Sequence, residues 1–163
     1  MKMGEGVEWT LHCAALLAAL PEGAVLPARA LAEFHDVSES YLLKQLKGLT
    51  AAGLFVSTSG PKGGYRLARD PAQISLLELV LAVEGDQPAF RCAEIRRCGP
   101  LVSPTTVYSP LCPIHAAMQQ AERAWRASLA DISLADIFER VGDSIPSDVG
   151  ARGKIWIQEH VRS

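Results

Sequence analysis

The stretch from Leu26 to Leu67 constrains the fold most, because several local signals follow one another in a fixed order. Pro27 suits the first turn of a helix, and Leu31 and Phe34 give that helix an apolar stripe. Asp36 and Val37 predict a tight turn. Ser38 is placed to cap a second helix, Glu39 to Ala52, in which Tyr41, Leu42, Leu46 and Leu49 recur at helical spacing. Gly53 falls just past its end, where a left-handed residue is wanted. Leu54 to Thr58 reads as a strand, Ser59 to Gly64 as a turn, and Tyr65 to Leu67 as the returning strand. Helix, turn, helix and hairpin in that order predict a winged helix-turn-helix, which lays its second helix in the major groove of DNA.

The charge is placed to match. The chain carries a net charge of −2, yet Lys44, Lys47, Lys62, Arg66 and Arg69 stand against the single acid Glu39 between Glu39 and Arg69. That is a local +4 on a body of −6, a basic patch suited to phosphate. Ser38, Ser40, Tyr41, Lys44 and Gln45, near the start of the second helix, are the candidates for base or backbone contact. Lys62 at the wing tip is placed for phosphates or an adjacent minor groove. Leu42, Leu46 and Leu49 read as core, and Tyr41 suits either role. A helix-turn-helix used only for protein contact is the competing reading, and the Lys/Gly-rich wing argues against it.

At 163 residues, 48% of them hydrophobic, the chain suits one winged domain with an accessory region. Its longest apolar run, Cys13 to Leu20, is 8 residues. A membrane span needs about 18 to 20. Glu5 and Glu8 precede that run where a signal peptide wants basic residues, so neither membrane insertion nor secretion is expected. The expected compartment is the cytoplasm, where cysteines bind metal more often than they pair. No phosphate-binding glycine motif, nucleophile triad or cofactor fingerprint is present, so no enzyme is expected.

Beyond Asp70-Pro71, Ser75 and Glu78 form a capping box for a helix that Gly85 ends. Residues 86 to 112 lack periodicity and contain Pro88, Pro100, Pro104 and Pro110. A connection this long in a small domain implies a function. It holds Cys92, Cys98 and Cys112, three of the four cysteines, and thiolates on an irregular segment can converge on a metal. Pro113 then opens a helix to about Ala130, roughly 27 Å long. Its apolar face of Ile114, Ala117, Met118, Ala121, Ala124, Trp125 and Leu129 predicts pairing with a second copy, with packing on its own domain as the alternative. Ser133 to Asp136 starts a short helix, and the segment from Val149 docks as a last amphipathic element. The expected fold is mainly α with a small β-wing. Its parts are a winged helix-turn-helix DNA-binding domain (1–85), a cluster-binding loop (86–112), and a dimerisation helix with C-terminal helices (113–163).

Glu8 and His12 are four residues apart, on one helix face and about 6 Å apart along its axis. With "VSESYLLKQLKGL", the wing "GPKGGYRLAR" and the capped "ISLLELVLAVEG", the chain resembles, over nearly its full length, the winged-helix iron–sulfur regulators typified by IscR, NsrR and RsrR. The resemblance implies a homodimeric transcription factor, usually a repressor, acting on a double-stranded DNA operator. Cys92 and Cys98 have the C-x5-C spacing of the IscR and NsrR types, but Cys112 lies 14 residues beyond Cys98. "GVEWTLHC", with Cys92 and Cys112 twenty apart, is more similar to the redox-sensing RsrR type. That likeness implies a 2Fe–2S cluster held by Cys92, Cys112, His12 and Glu8, with the first helix beside the cluster loop of the other subunit.

Neutral histidine in place of thiolate raises a cluster's reduction potential, and its ring N–H can couple proton to electron transfer. Trp9, between Glu8 and His12, reads as a packing anchor or as a relay of redox state to the DNA-binding domain. Cys98 and His115 are the rival ligands, whereas Cys13 reads as core. Nitric-oxide or cluster-supply sensing by cluster loss, and a zinc-stabilised winged helix, stay open beside redox sensing.

Overall fold

A computed structural model describes residues 3–100, 102, 103, 105 and 107–162; Pro104, among the four loop prolines, lies outside them. Helix α1 (Glu5–Ala18) buries Val7, Thr10, Cys13, Ala14 and Leu17, an i, i+3, i+4 stripe, and leaves Glu8 and His12 exposed. Its inner face packs against α4 (Leu76–Glu84) and α6 (Leu134–Ser144) and also meets α3 (Glu39–Ala51).

Helices α2 (Ala28–Phe34) and α3 form the helix-turn-helix. Pro27 is the N-cap of α2, one position earlier than the sequence suggested. Asp36 makes the turn in the left-handed region, at φ 50°. Ser38 stands at the N-cap of α3 but its hydroxyl accepts no backbone N–H; it lies 3.0 Å from the Ser40 hydroxyl instead. That local pairing competes with capping, a common fate of serine at exposed turns. Gly53, at φ 70°, closes α3. Its N–H donates to Thr50 O at 3.0 Å while Leu54 N–H donates to Leu49 O at 3.0 Å, the paired bonds of a Schellman motif.

The wing is an antiparallel pair, β1 (Phe55–Thr58) and β2 (Gly64–Leu67), with Phe55 opposite Leu67 and Thr58 opposite Gly64. Leu26 lies along the other edge of β2, exchanging bonds of 3.0 and 2.8 Å with Tyr65. Close backbone approaches, from Leu26 at Gly64 and from Thr58 within the wing at Gly63, require glycine at both positions. A Cβ on Gly64 would stand 2.5 Å from Leu26 O, and one on Gly63 would overlap Thr58 O.

The core gathers Leu26, Leu31, Leu42, Leu46, Leu49 and Phe55 from the winged unit with Leu79 and Leu134 from the helices behind it. Both predicted helix starts carry complete capping boxes, Ser75 with Glu78 and Ser133 with Asp136. The two starts are also bonded together, Leu76 N–H to Ile132 O at 2.9 Å and Leu134 N–H to Ile74 O at 2.8 Å. Helix α5 (Pro113–Ala130) differs: none of its residues is buried, and Ile114 is 67% exposed. Helix α7 (Ser147–His160) docks through Trp156, whose ring meets Phe34 edge-on at 4.8 Å. Arg162, just beyond it, pairs with Val25 through bonds of 2.9 and 3.0 Å. No helix among the described residues is long and apolar enough to cross a membrane.

Candidate metal centre and nucleic-acid interface

The loop after α4 is tied down at both ends before it presents its cysteines. Gly85 ends α4 at φ 81°, and the chain runs against the middle of α5. There the Ala89 N–H donates to Glu122 Oε2 at 3.1 Å, and Arg126 donates to Asp86 O at 2.9 Å while bridging Glu122 at 2.8 Å. Further on, Glu94 takes a left-handed conformation (φ 51°) and opens a short 3-10 turn, Ile95–Arg97. Its Oε2 accepts from the Nε of both Arg96 and Arg97 at 3.0 Å. Arg96 also donates to Ser109 O at 2.7 Å and lies 5.4 Å over the Tyr108 ring. These bonds fold the far end of the loop back on its middle.

That fold brings Cys92 to Cys112. Their sulfurs and a Glu94 carboxylate oxygen all lie within 4.8 Å of one another. Two thiolates on one tetrahedral metal with bonds of about 2.3 Å sit roughly 3.8 Å apart, so the pair fits one metal centre. The two thiols are electrostatically unlike. Cys112 is the N-cap of α5, and the backbone N–H groups of His115 and Ile114, with Arg96, hold its pKa below the ordinary value. The Glu94 N–H alone would lower Cys92 too, but partial burial, the Glu94 carboxylate 3.5 Å away and the Cys112 thiolate outweigh it, and its pKa is raised.

Among the described residues, Glu8 and His12 do not join this group. Both are exposed on α1 and line one shallow depression with Leu11. The His12 ring lies 5.5 Å from that of His35, whose Nε2 is buried without a partner. Trp9, half-buried and next to Glu8 in the sequence, meets Tyr41 of α3 edge-on at 5.8 Å. Cys98 is exposed and outside the group, while Cys13 is fully buried and its thiol is pushed up to about 12. His115 packs its ring beside Phe90, centroids 6.0 Å apart, with its Nδ1 buried and unpartnered. Glu94 was not anticipated from the sequence; the available signal was a Cys-x-Glu step followed by two arginines.

The residues expected from the sequence to contact DNA lie on α3 and the wing. Ser38, Ser40, Tyr41 and Lys44 are exposed, Tyr41 at 63%. Gln45 is half-buried, its amide lying over Gly6 of α1, where a Cβ would meet Gln45 Nε2 at 2.7 Å. Lys62 is exposed at the wing tip between Pro61 and Gly63, whose carbonyls accept from Arg162 Nη1 at 2.7 and 3.4 Å.

Residues 3–140 match the family described as "Rrf2: Iron-dependent Transcriptional regulator". The chain belongs to the Rrf2 family. It is 27% identical over 143 residues to the HTH-type transcriptional regulator NsrR of Bacillus subtilis, spanning 88% of this chain and 94% of that one. It is 37% identical over 71 residues to IscR of Cronobacter sakazakii, a match spanning 44% of each chain. Among solved structures, the fold is like that of T. potens IscR (TM-score 0.67, 20% identity, 90% of this chain and 93% of that one). It is also like that of CymR, the global cysteine regulator of B. subtilis (TM-score 0.62, 22% identity, 86% and 98%). Rrf2-family proteins are DNA-binding regulators of transcription rather than enzymes.

Proposed function

We propose that this Rrf2-family protein is a homodimeric repressor whose operator affinity follows the redox state of a 2Fe–2S cluster. The observation that carries the reading is the convergence of Cys92 and Cys112 while Glu8 and His12 stand exposed on α1. The two cysteines supply half of the four terminal ligands such a cluster needs. Glu8 and His12 of a second copy would supply the rest. The exposed apolar face of α5, with Ile114 at 67% and Met118 at 42%, supports pairing of two copies.

A 2Fe–2S group bound there would supply a one-electron change of charge. Within the chain, Cys112 favours the thiolate at the N-terminus of α5, and Arg96 adds positive charge beside it. His12, which lies beside His35, would be the ligand whose second ring nitrogen could couple proton to electron transfer. Trp9, one residue after Glu8, rests on Tyr41, so a shift of the ligand-bearing face of α1 is felt directly on α3. Ser38, Ser40, Tyr41, Lys44 and Gln45 would meet the major groove, with Lys62 on the flanking backbone. Gln45 must leave Gly6 to reach a base, which makes its availability depend on where α1 sits.

The test is absorbance with iron and sulfide analysis on protein purified without oxygen, followed by operator binding before and after dithionite. Two irons and two sulfides per chain, reversible bleaching and a change in affinity on reduction are expected. A colourless zinc protein, or a cluster destroyed by one reduction cycle, overturns redox control and favours a structural metal or sensing by cluster loss.

A further inference from the structure

The face that α5 turns toward its own domain carries an ion pair, and its side chains follow the loop step by step. Arg126 donates to Asp86 O at 2.9 Å, and Glu122 Oε2 accepts from the Ala89 N–H at 3.1 Å. The His115 ring lies 6.0 Å from that of Phe90, and Cys112, the N-cap, meets Cys92. Residues 112, 115, 122 and 126 fall on one face of a helix, so segment 86–92 runs along α5 toward its N-terminus. Arg126 to Cys112 is roughly 21 Å at 1.5 Å per residue. The six steps of chain from Asp86 to Cys92 span at most about 20–22 Å. The segment therefore has little slack, and where its root is held decides whether Cys92 reaches Cys112.

Glu122 and Arg126 hold that root. Their side chains are 14% and 26% exposed, and they bridge at 2.8 Å. An ion pair withdrawn from water adds little net stability, because desolvation offsets the attraction; its best-attested use is to fix register. Here each charge also bonds a backbone group of the loop, Asp86 O or the Ala89 N–H, which an apolar pair could not do. We infer that Glu122 and Arg126 are positioning residues that set the register of the cysteine loop on α5, bringing Cys92 to Cys112 before any cofactor is bound. The inference rests on the reading of these two cysteines as cluster ligands and adds to it the pair that aligns them. Because α5 also carries the exposed face proposed for pairing of two copies, the clamp fixes both cysteines to the helix that would meet the second copy.

The full-length metal-free protein is equilibrated under nitrogen with mixtures of reduced and oxidised glutathione, quenched with acid and mapped by mass spectrometry. Oxidised glutathione takes two electrons and two protons from the two thiols, giving the Cys92–Cys112 disulfide and two reduced glutathiones. The equilibrium constant measures how closely the chain holds the two sulfurs, and this should be the main disulfide of the parent. A Glu122→Leu/Arg126→Met double variant replaces the ion pair by apolar side chains of similar size, which should leave the urea midpoint near the parent's. It should lower the constant by about fivefold or more, the usual range for coupling between separate sites. Arg126→Lys keeps the charge but loses the fork that reaches both Glu122 and Asp86 O, and should lower the constant as well. It decides the matter if the double variant fails to fold. Asp148→Ala/Arg152→Ala removes an exposed pair of the same spacing on α7 and should match the parent. A parent that forms no such disulfide, a parent-like constant in both α5 variants, or an equal fall in the α7 variant overturns the inference. No iron or sulfide enters the test, so a protein that never assembles a cluster can still pass, and one that fails can still carry a cluster.

Discussion

The Trp9 ring meets the Tyr41 ring edge-on, with centroids 5.8 Å apart and planes at 75°. This contact joins the helix that bears Glu8 and His12 to the exposed start of α3. An edge-on aromatic pair is worth about 0.5–1.5 kcal/mol beyond its area, up to roughly a tenfold change in an equilibrium. Trp9→Ala should therefore leave iron and sulfide content near the parent's and bring operator affinities of the oxidised and reduced protein toward each other. Fluorescence of Trp9 in a Trp125→Phe/Trp156→Phe background should change on reduction. A parent-like affinity ratio in Trp9→Ala would make the ring a packing anchor only.

Arg162 controls the wing from outside it. Its guanidinium binds the carbonyls on either side of Lys62, and its backbone is paired to Val25. Loss of these bonds frees the tip and weakens whatever Lys62 contributes. Lys62→Ala should lower the salt dependence of operator binding by about one unit of slope. Arg162→Ala should weaken binding in the parent and add little in the Lys62→Ala background, a coupling read by a double-mutant cycle. Additive effects would instead give Arg162 a phosphate contact of its own.

Gly64 has no room for a side chain. Its Cβ would stand 2.5 Å from Leu26 O, a backbone atom that the Leu26–Tyr65 bonds hold in place. Gly64→Ala should destabilise by roughly 1–3 kcal/mol, the range for overpacking, and lower the urea midpoint at unchanged m. Gly60→Ala, which meets nothing but sits at φ 102°, separates backbone strain from collision.

Most of the fold was legible because its signals are local. The Ser75 capping box, the left-handed Gly53 and the helix starts at Pro113 and Ser133 depend on a few adjacent residues, and each forms as the sequence predicts. Ser38 makes no cap bond and instead pairs its hydroxyl with that of Ser40, two residues on, a competition that capping rules do not rank. In the site, the resemblance to the RsrR type implied Cys92 and Cys112 together with Glu8 and His12; the two cysteines do meet, and Glu8 and His12 stand apart from them in the chain. Glu94 was hidden because its role depends on a left-handed turn and on Arg96 reaching Ser109, 13 residues away. The half-buried state of Gln45 was hidden likewise, since it arises from a helix 39 residues earlier in the chain.

The four cysteines should separate by reactivity. Cys98 is exposed, whereas Cys13 is fully buried with its thiol pushed up to about 12 by desolvation. With metal-free native protein at pH 8, iodoacetamide should modify Cys98 first and leave Cys13 intact until denaturant is added. Bound metal should protect Cys92 and Cys112 and leave Cys98 unprotected, which mass mapping of the labelled peptides reads directly. Protection of Cys98 along with the pair would bring it into the ligand set.

Glu78 links the start of α4 to acid stability. Partial burial alone would raise its pKa, but Arg69 at 2.7 Å and the Ser75 N–H and hydroxyl outweigh that and hold it below the ordinary 4.5. A depressed carboxyl in the folded state means that the unfolded chain binds the proton more readily. The contribution is therefore complete above the ordinary carboxylate range and is lost as pH falls through the lowered value. The side chain is 42% exposed, so solvent screening keeps the charge effect to about 0.5 kcal/mol. Glu78→Gln should lower the urea midpoint slightly at pH 7, and the difference from the parent should close as pH falls through the lowered carboxyl value. Ser75→Ala removes the cap itself and should cost about 1 kcal/mol. Because Ser75 also holds down the Glu78 pKa, this variant should narrow the acid-dependent part as well. A Glu78→Gln gap that persists unchanged into acid would place the stabilisation in packing rather than in the charge.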